Sequence, residues 1–194
     1  PGPTFRHEAF SSYKAQRPPT PEDLIKQLDP VRRAVELLGF HMETSQGVEA
    51  DDLIASLAHR FKGENGGHDV VIVGADKDLK QCLDSSVVMW DPVGKKEKIT
   101  TLEDFRAETN LVPSQWPDFQ ALIGDSSDNI PGVPGIGPKT AARIFTEVST
   151  LEELEKALQE TPDIFKPAER KKLEPHIQDA FLYRTLTTLR TDLA

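Results

Sequence analysis

Residues 69–83, DVVIVGADKDLKQCL, contain the pattern that decides the fold. Val70–Val73 is an unbroken β-branched run, which is typical of a strand buried on both faces of a parallel sheet. Gly74-Ala75-Asp76 ends this strand and leads into a short helical pattern, and a second apolar run, SVVMW at 86–90, follows. The alternation of helix and strand predicts an α/β fold with a mostly parallel sheet. Its functional crevice should lie beyond the carboxyl ends of the strands.

Two amphipathic helical patterns precede this strand. Residues 1–20 are predicted to be irregular or mobile, and residues 21–38 then predict a first helix. A short polar strand is predicted at 41–46, followed by a second helix at 48–61. We expect both helices to turn an apolar face inward: Leu24, Leu28, Val31, Val35 and Leu38 in the first, and Leu53, Ile54, Leu57 and Phe61 in the second.

The C-terminal part of the chain has a different pattern. No run after residue 100 predicts a strand, and apolar residues recur there at helical spacing. The sequence therefore predicts an α/β part at 1–123 and a helical subdomain at 124–194. The helical patterns cover 101–109, 113–124, 138–148, 150–159 and 168–189.

Composition limits the possible functions. The 194 residues are 37% hydrophobic and 28% charged, which is ordinary for a globular protein, and the single Cys82 excludes an internal disulfide. The net charge of −9 argues at first against a nucleic-acid partner, but residues 1–20 hold three basic residues against only Glu8. No stretch predicts a signal peptide or a membrane span. The first residue is not methionine, so we expect a longer natural chain.

Seven acids fall into three tight groups. Taken singly, each group has an ordinary explanation: acids of a helix's first turn, a helix cap, or turn formers. Carboxylates crowded into one crevice, however, repel one another unless a cation compensates. Oxygen ligands without histidine or cysteine favour Mg²⁺ or Mn²⁺, and two such ions about 4 Å apart cleave phosphodiesters. The acids are Glu49, Asp51, Asp52, Asp76, Asp78, Asp125 and Asp128.

Residues 132–141, GVPGIGPKTA, have the form of a helix–hairpin–helix turn. Gly135 and Gly137 would let the backbone approach a phosphate, with free N–H groups of the next helix pointing at it. Lys139 adds a charge and Thr140 a hydroxyl. An ordinary Gly/Pro turn between two helices is the alternative. A helix–hairpin–helix would bind the sugar–phosphate backbone of DNA independently of the base sequence.

Four motifs in this order resemble the 5′ nuclease, or flap endonuclease, superfamily. They are FRHEAFSSYKAQRPPTPEDL at 5–24, VEADDLIASLA at 48–58, ADKDLKQ at 75–81 and GDSSDNIPGVPGIGPKTA at 124–141. The resemblance is strongest to the N-terminal 5′→3′ exonuclease domain of bacterial DNA polymerase I. It covers nearly the whole chain and implies a resolvase-like or PIN-like α/β core with a helix–hairpin–helix subdomain.

The resemblance also implies roles for individual residues. Asp52 and Asp76 would bind a first Mg²⁺ or Mn²⁺ ion with Glu49 and Asp51 beside them, and Asp78, Asp125 and Asp128 would hold a second. Arg6, Lys14 and Arg17 would be catalytic residues of a helical arch, engaging the scissile phosphate and the 5′ end. The duplex, with a K⁺ ion, would lie on Gly132, Gly135, Ile136, Gly137, Lys139 and Thr140.

The chain departs from the family pattern at its start. Family members begin with two hydrophobic strands, each bearing an aspartate, and neither strand is present in these 194 residues. The chain would then lack two metal ligands and the interior of its sheet, so we expect these residues alone to be a poor nuclease.

The expected function is a metal-dependent, structure-specific nuclease in replication and repair. Its partners would be 5′ flaps and nicked or branched DNA, with a polymerase portion in the same natural chain, in the bacterial cytoplasm at the nucleoid. A free-standing 5′ nuclease and a non-catalytic DNA-binding module derived from the fold are the alternatives. Seven clustered carboxylates facing a polyanion favour the nuclease, because a pure DNA binder gains nothing from them.

Overall fold

A computed structural model describes residues 2–94 and 96–193, with residues 64 and 65 described by their backbone only. Its three-stranded sheet has the order β1–β2–β3. Strand β1 (Val70–Val73) is parallel to β2 (Val87–Asp91), as the two apolar runs predict. Strand β3 (Lys98–Thr100) is antiparallel to β2 and was not predicted, since three residues after a turn give too short a pattern. The α/β fold class is confirmed.

Helices precede and follow this sheet in the chain, and all the named elements after Thr100 are helices. Capping residues mark several starts: the Thr101 hydroxyl accepts from Asp104 N, and the Thr150 hydroxyl from Glu153 N. The α-helices are α1 (Phe5–Ala9), α2 (Glu22–Leu37), α3 (Ala50–Phe61), α4 (Gly63–Gly66), α5 (Leu102–Thr109), α6 (Trp116–Ile123), α7 (Pro138–Glu147), α8 (Leu151–Glu160), α9 (Pro167–Leu173) and α10 (Ile177–Thr187). Short 3₁₀ helices cover Lys77–Cys82, Pro113–Gln115, Pro162–Ile164 and Glu174–His176.

Strand β1 is covered on one face only, which corrects the prediction that both faces are buried. Ile72 is 4% exposed, whereas Val71 and Val73 are 55% and 59% exposed. Within the described sheet, β1 pairs only with β2. Ile54 and Phe61 of α3 line an open apolar groove along β1. Among the described residues, β1 is therefore an apolar strand at the edge of the sheet.

Helix α2 forms as predicted, but the prediction of its inward face is wrong. No residue of α2 is buried, and Leu24 and Leu38 are 50% and 74% exposed. The helix runs through Pro30 without interruption, and the polar strand predicted at 41–46 is absent. An amphipathic pattern predicts a helix but does not say what covers it.

Helix α3 half-buries the predicted apolar face, where Ile54 packs against the core, but its fully buried residues are small or polar ones that were not predicted. Its buried residues are Asp52, Ala55, Ser56 and Ala58, whereas Phe61 is 44% exposed. Ser56 donates its hydroxyl to the carbonyl of Asp52 at 2.8 Å and lies 3.1 Å from the carbonyl of Arg190. Polar residues face inward here because the C-terminal segment supplies their partners.

The C-terminal core is helical, as predicted. Helix α6 packs against α10 and α7, and the most buried side chains include Leu122, Ile144 and Leu173. The single helix predicted at 168–189 is two helices, because Pro175 lies in the 3₁₀ turn between α9 and α10. The domain division after residue 123 stays a prediction. Among the described residues, no helix combines the length and the apolar character needed to cross a lipid bilayer.

The one-sided burial of β1 makes a prediction about stability. Ile72→Ala should lower the free energy of unfolding by about 2–5 kcal/mol, because it leaves a cavity in the core. Val71→Thr should change it by less than about 0.5 kcal/mol, because Val71 is exposed and threonine keeps the β-branched shape. Urea unfolding of both variants checks this. A cost at Val71 comparable to that at Ile72 would mean that this face is covered.

Candidate metal centre

Three predicted ligands converge at the carboxyl end of β1. Asp78 lies in the 3₁₀ helix that follows β1, and Asp125 and Asp128 lie in the loop after α6. One carboxylate oxygen of each lies within 4.8 Å of the others, the one group of three or more such ligands among residues 2–94 and 96–193. The chain thus brings together the set Asp78, Asp125 and Asp128. An oxygen-only set of this kind fits a hard divalent cation.

A pair of glycines closes the loop that carries Asp125 and Asp128. The backbones of Asp125 and Ile130 exchange two hydrogen bonds of 2.8 Å. Gly124 and Gly132 have φ of +77° and +69°, and a Cβ on Gly132 would lie 2.3 Å from the nitrogen of Gly124. Gly132 is buried, so it shapes this loop and does not present a DNA-binding surface, contrary to the role that the resemblance implies.

Hydrogen bonds orient Asp125 within the loop. Its Oδ1 accepts the backbone N–H of Ser127 at 2.9 Å and the hydroxyl of Ser127 at 2.6 Å. The ammonium of Lys77 lies 2.9 Å from the same oxygen. Burial alone would raise the pKa of Asp125, but the hydrogen bonds from Ser127 and Lys77 outweigh it and lower the pKa. Asp125 is therefore held as a carboxylate.

Burial and the charges of neighbouring carboxylates raise the pKa values of two other acids, Asp78 and Asp51. Burial, and after it the charges of Asp76, Asp125 and Asp128, raise the pKa of Asp78 to about 6, although a hydrogen bond from Gln120 opposes the rise. The pKa of Asp51 is raised by burial and then by the charges of Asp76 and Glu49. Asp51, Asp76 and Glu49 thus lie near enough to interact, but they form no second set of converging ligand oxygens in the described part of the chain. A divalent cation would relieve this repulsion.

Gln120 is a site residue that motif analysis missed. Its Nε2 donates to Asp78 Oδ1 at 2.5 Å, and the side chain is 1% exposed. Its Oε1 and the Nε1 of Trp116, one turn earlier in α6, have no hydrogen-bond partner among the described residues. A glutamine inside the apolar run FQALI matches no motif. The sequence signal that could have indicated Gln120 is a polar residue at a position where the helical pattern predicts burial.

The segment 10–17 contains turns but no helix or strand, so it is irregular as predicted, and its side chains contact the acids. Helix α1 was not predicted within residues 1–20. Tyr13 is 2% exposed, and its hydroxyl lies 2.9 Å from Glu49 Oε2 and 3.0 Å from Asp128 Oδ2. Lys14 Nζ lies 2.6 Å from Glu49 Oε1, and an Nη of Arg17 lies 2.8 Å from Asp128 Oδ1. Tyr13 was not predicted, and its one proton can serve only one of the two acids at a time. Two of the three predicted basic residues therefore lie at the acidic centre.

Arg6 occupies a different place from the one that the resemblance implies. Its guanidinium makes a bidentate pair with Asp52, with two N–O distances of 2.7 Å. It also donates to the carbonyls of Leu186 at 2.8 Å and Thr188 at 2.9 Å. Arg6 is 1% exposed and Asp52 0% exposed, so Arg6 does not face a DNA phosphate in this structure.

Asp52 likewise differs from its implied role as a ligand of the first metal. Besides Arg6, its two oxygens accept the backbone N–H groups of Glu49 and Arg190, each at 3.0 Å. Burial would raise the pKa of Asp52, but the hydrogen bonds from Arg6 and the backbone lower it. The pair is a structural anchor between α1, α3 and the end of α10.

The helix–hairpin–helix residues divide into buried and accessible ones. Ile136 is 4% exposed and belongs to the core, which corrects its assignment to the DNA surface. Gly135 and Lys139 are exposed, and Gly137 and Thr140 are partly exposed at the start of α7. The carbonyl of Gly135 accepts a hydrogen bond of 2.8 Å from Lys172. The accessible residues form one short surface.

The anchor makes the first prediction about this site. Arg6→Met should lower the free energy of unfolding by about 3–5 kcal/mol, because the buried carboxylate of Asp52 loses its only charged partner and keeps just two backbone donors. Arg6→Met combined with Asp52→Leu should recover much of this loss, since neither charge remains. Urea unfolding measures the stability of both variants. If Arg6→Met does not fold at all, a folded double variant would still show that the second substitution restores stability. A double variant less stable than the single one would contradict the anchor.

Gln120 makes the second prediction. Gln120→Leu should weaken Mn²⁺ binding by about tenfold or more, because Asp78 loses the donor that orients it. Calorimetric titration with Mn²⁺ in the absence of DNA measures this, and Gln178→Leu, which removes an exposed amide bonded to Glu155, is the matched control. Unchanged Mn²⁺ affinity in Gln120→Leu would exclude the positioning role.

Comparison with known proteins gives this geometry a family. The family model described as 5′-3′ exonuclease, N-terminal resolvase-like domain matches residues 1–110, and the 5′-3′ exonuclease, C-terminal SAM fold matches residues 111–194. A thermostable DNA polymerase I from Thermus thermophilus is 45% identical over 192 residues, which cover 98% of this chain and 22% of the polymerase. The flap endonuclease Xni from Cronobacter sakazakii is 40% identical over 189 residues, 97% of this chain and 72% of Xni.

Solved structures agree with the sequence relatives. The T5 5′-exonuclease with bound divalent metal ions (zinc) has a TM-score of 0.77 and 27% identity, covering 98% of this chain and 72% of that one. A complex of the T5 D15 flap endonuclease with DNA and metal ions has a TM-score of 0.75 and 26% identity, covering 95% and 70%. The chain spans about a fifth of the length of the polymerases it matches. With both family models matched along the chain and three of its seven predicted acids converging after β1, the protein belongs to the 5′-3′ exonuclease family.

Proposed function

We propose that this chain is the metal-dependent 5′→3′ exonuclease and flap endonuclease domain of a bacterial DNA polymerase I. It would hydrolyse DNA phosphodiesters at 5′ ends and flaps, in replication and repair. The convergence of Asp78, Asp125 and Asp128 within 4.8 Å carries this proposal, because such a site suits hard cations and phosphoryl chemistry. The polymerase relatives, of which the chain matches 22%, support the link to a polymerase portion.

Mg²⁺ or Mn²⁺ is the proposed cofactor. Asp78, Asp125 and Asp128 would hold one ion, and Glu49, Asp51 and Asp76 would contribute to a second. When bound, the ions supply an activated water and stabilise the leaving oxygen. The chain's own residues orient these ligands: Gln120 acts on Asp78, and Ser127 acts on Asp125.

Lys14 and Arg17 supply the positive charge that meets the substrate. Both contact Asp128 or Glu49, so they lie where a phosphate would approach the ions. Arg17 is about half exposed, whereas Lys14 is 15% exposed and held against Glu49. We assign both to phosphate binding and Arg6 to the anchor with Asp52.

The duplex would lie on the accessible residues of the helix–hairpin–helix, where Gly135, Gly137, Lys139 and Thr140 face solvent. A K⁺ ion at this turn belongs to the same proposal. Because the contacts are to backbone phosphates, binding would be independent of base sequence. Because the proposed substrate is chromosomal DNA, we propose that the activity lies in the bacterial cytoplasm at the nucleoid and that residues 124–194 are the DNA-binding subdomain.

A second candidate is a free-standing flap endonuclease. The 40% identity to Xni over 72% of that protein favours it, since Xni is named as a flap endonuclease and this chain covers most of its length. The chemistry would be the same in both cases. A non-catalytic DNA-binding module is the third candidate, and the next experiment separates it from the first two.

Asp125→Asn and Asp128→Asn should each reduce flap cleavage with Mg²⁺ by about a hundredfold, because a misplaced metal misaligns the reacting atoms. DNA affinity in EDTA should hold or rise, since a negative charge facing phosphate is gone. Cleavage is measured both in these 194 residues and in a longer version that carries the family's two preceding strands, in which we expect the higher rate. Full activity of both variants at low Mg²⁺ would falsify the metal role, and no cleavage by the unsubstituted longer version would favour the binding module.

Gly137→Val should weaken duplex binding for every base sequence while leaving the fold intact. A Cβ at Gly137 meets no atom within 4 Å, so a valine there clashes only with an approaching DNA backbone. Gly135 is the poorer test, because its φ is +77° and a Cβ would lie 3.0 Å from Lys172. Fluorescence anisotropy gives the affinity and thermal melting confirms the fold. Normal duplex binding by a folded Gly137→Val protein would contradict the assignment.

A further inference from the structure

Lys77 is a basic residue at the acidic centre to which no role has been assigned above. It is the first residue of the 3₁₀ helix after β1, between the acids Asp76 and Asp78. Its ammonium lies 2.9 Å from Asp125 Oδ1, and its side chain is 45% exposed. Lys14 and Arg17 pair with Glu49 and Asp128 instead. Lys77 therefore serves a different acid from the other two cations.

An open groove of about 500 Å³ adjoins Lys77. Along the chain, its lining loop joins the acids to the helix–hairpin–helix, which begins at residue 132. A strand of DNA held at the helix–hairpin–helix and cut at the acids has to pass between these two points. The residues that line the groove are Lys77, Ile123, Gly124, Asp125, Ser126, Asn129, Ile130 and Pro131.

The charges around the Lys77 ammonium determine which anion it contacts. Asp125 Oδ1 already accepts two hydrogen bonds from Ser127, and the ammonium of Lys77, on a side chain that is 45% exposed, is a third donor to that oxygen. A divalent ion shared by Asp78, Asp125 and Asp128 would offset the negative charge that holds Lys77. The flexible stem of a half-exposed lysine can then turn to another anion at little cost.

We propose that Lys77 binds a backbone phosphate of the DNA in the groove lined by residues 123–131, once a divalent ion occupies the neighbouring acids. This inference rests on the proposed nuclease function and adds a third phosphate-binding cation to Lys14 and Arg17. The lining loop leads along the chain to the helix–hairpin–helix, so this contact would fix the path of the DNA between the duplex-binding turn and the cleavage site.

The test measures the salt dependence of flap binding for Lys77→Gln. Affinity for a 5′-flap duplex is determined at a series of KCl concentrations with Ca²⁺ and with EDTA, and a denaturing gel verifies that the DNA stays uncut. With Ca²⁺, the slope of log affinity against log salt should become shallower by about 0.9, the value for one lost phosphate contact. Lys77→Arg should restore the slope, and Mn²⁺ affinity without DNA should hold or rise in Lys77→Gln, because a cation beside Asp125 is gone.

Lys98→Gln is the matched control, since Lys98 is 60% exposed and pairs with Glu108 away from the groove. An unchanged slope in Lys77→Gln with altered Mn²⁺ affinity would show that Lys77 acts only on Asp125, and would overturn the proposal. Equal slope changes in Lys77→Gln and Lys98→Gln would reduce the effect to net charge and would also overturn it. If the unsubstituted protein binds no flap duplex, the proposed function fails with it.

Discussion

The buried ion pair between Arg6 and Asp52 holds three distant segments of the chain together. Two charges out of water are tolerated only when every donor and acceptor is satisfied. Here the carbonyls of Leu186 and Thr188 and the backbone N–H of Arg190 complete the pair. The N-terminal segment is therefore fixed against α3 and the end of α10. The same constraint sets where Tyr13 and Lys14 reach the acids, so the geometry of the metal centre depends on a contact outside it.

The acidic centre balances its charge with side chains. Lys14, Arg17 and Lys77 each contact a carboxylate that the family motifs single out as a ligand. The chain has a net charge of −9, and these cations offset the electrostatic repulsion between its crowded carboxylates. Divalent ions would take over that task and leave the basic groups at the rim of the site. A centre built this way can attract both a dication and a polyanion without a basic excess in the protein as a whole.

The sequence predicted those features that depend on local chemistry. The β-branched run of β1, the helix starts and the acids at the ends of elements are all readable without partners, and Asp78, Asp125 and Asp128 converge as their positions indicate. Burial was harder to predict, because it depends on what lies opposite. The apolar face of α2 is exposed. Arg6 and Asp52 are buried because they pair with each other across 46 residues of sequence.

Two site residues were missed for related reasons. Tyr13 and Gln120 are single polar side chains without a motif, and their roles arise only when the loop of Asp128 and the helix of Asp78 fold against them. The resemblance misassigned Gly132 and Ile136 for another reason. A motif records which residues recur together, and it does not separate those that touch a ligand from those that shape the turn.

The position of Trp116 has an optical consequence. The chain has two tryptophans, and Trp116 is the buried one, stacked on Phe119 with ring centroids 5.2 Å apart. Lys80 Nζ lies 5.2 Å from its ring centroid, and the same helix carries the glutamine that contacts Asp78. Indole emission responds to nearby charge, so a change of charge at the acids is felt by a fluorophore already built into the helix behind them. A divalent ion at the acids would therefore be expected to change the emission of Trp116, without a label.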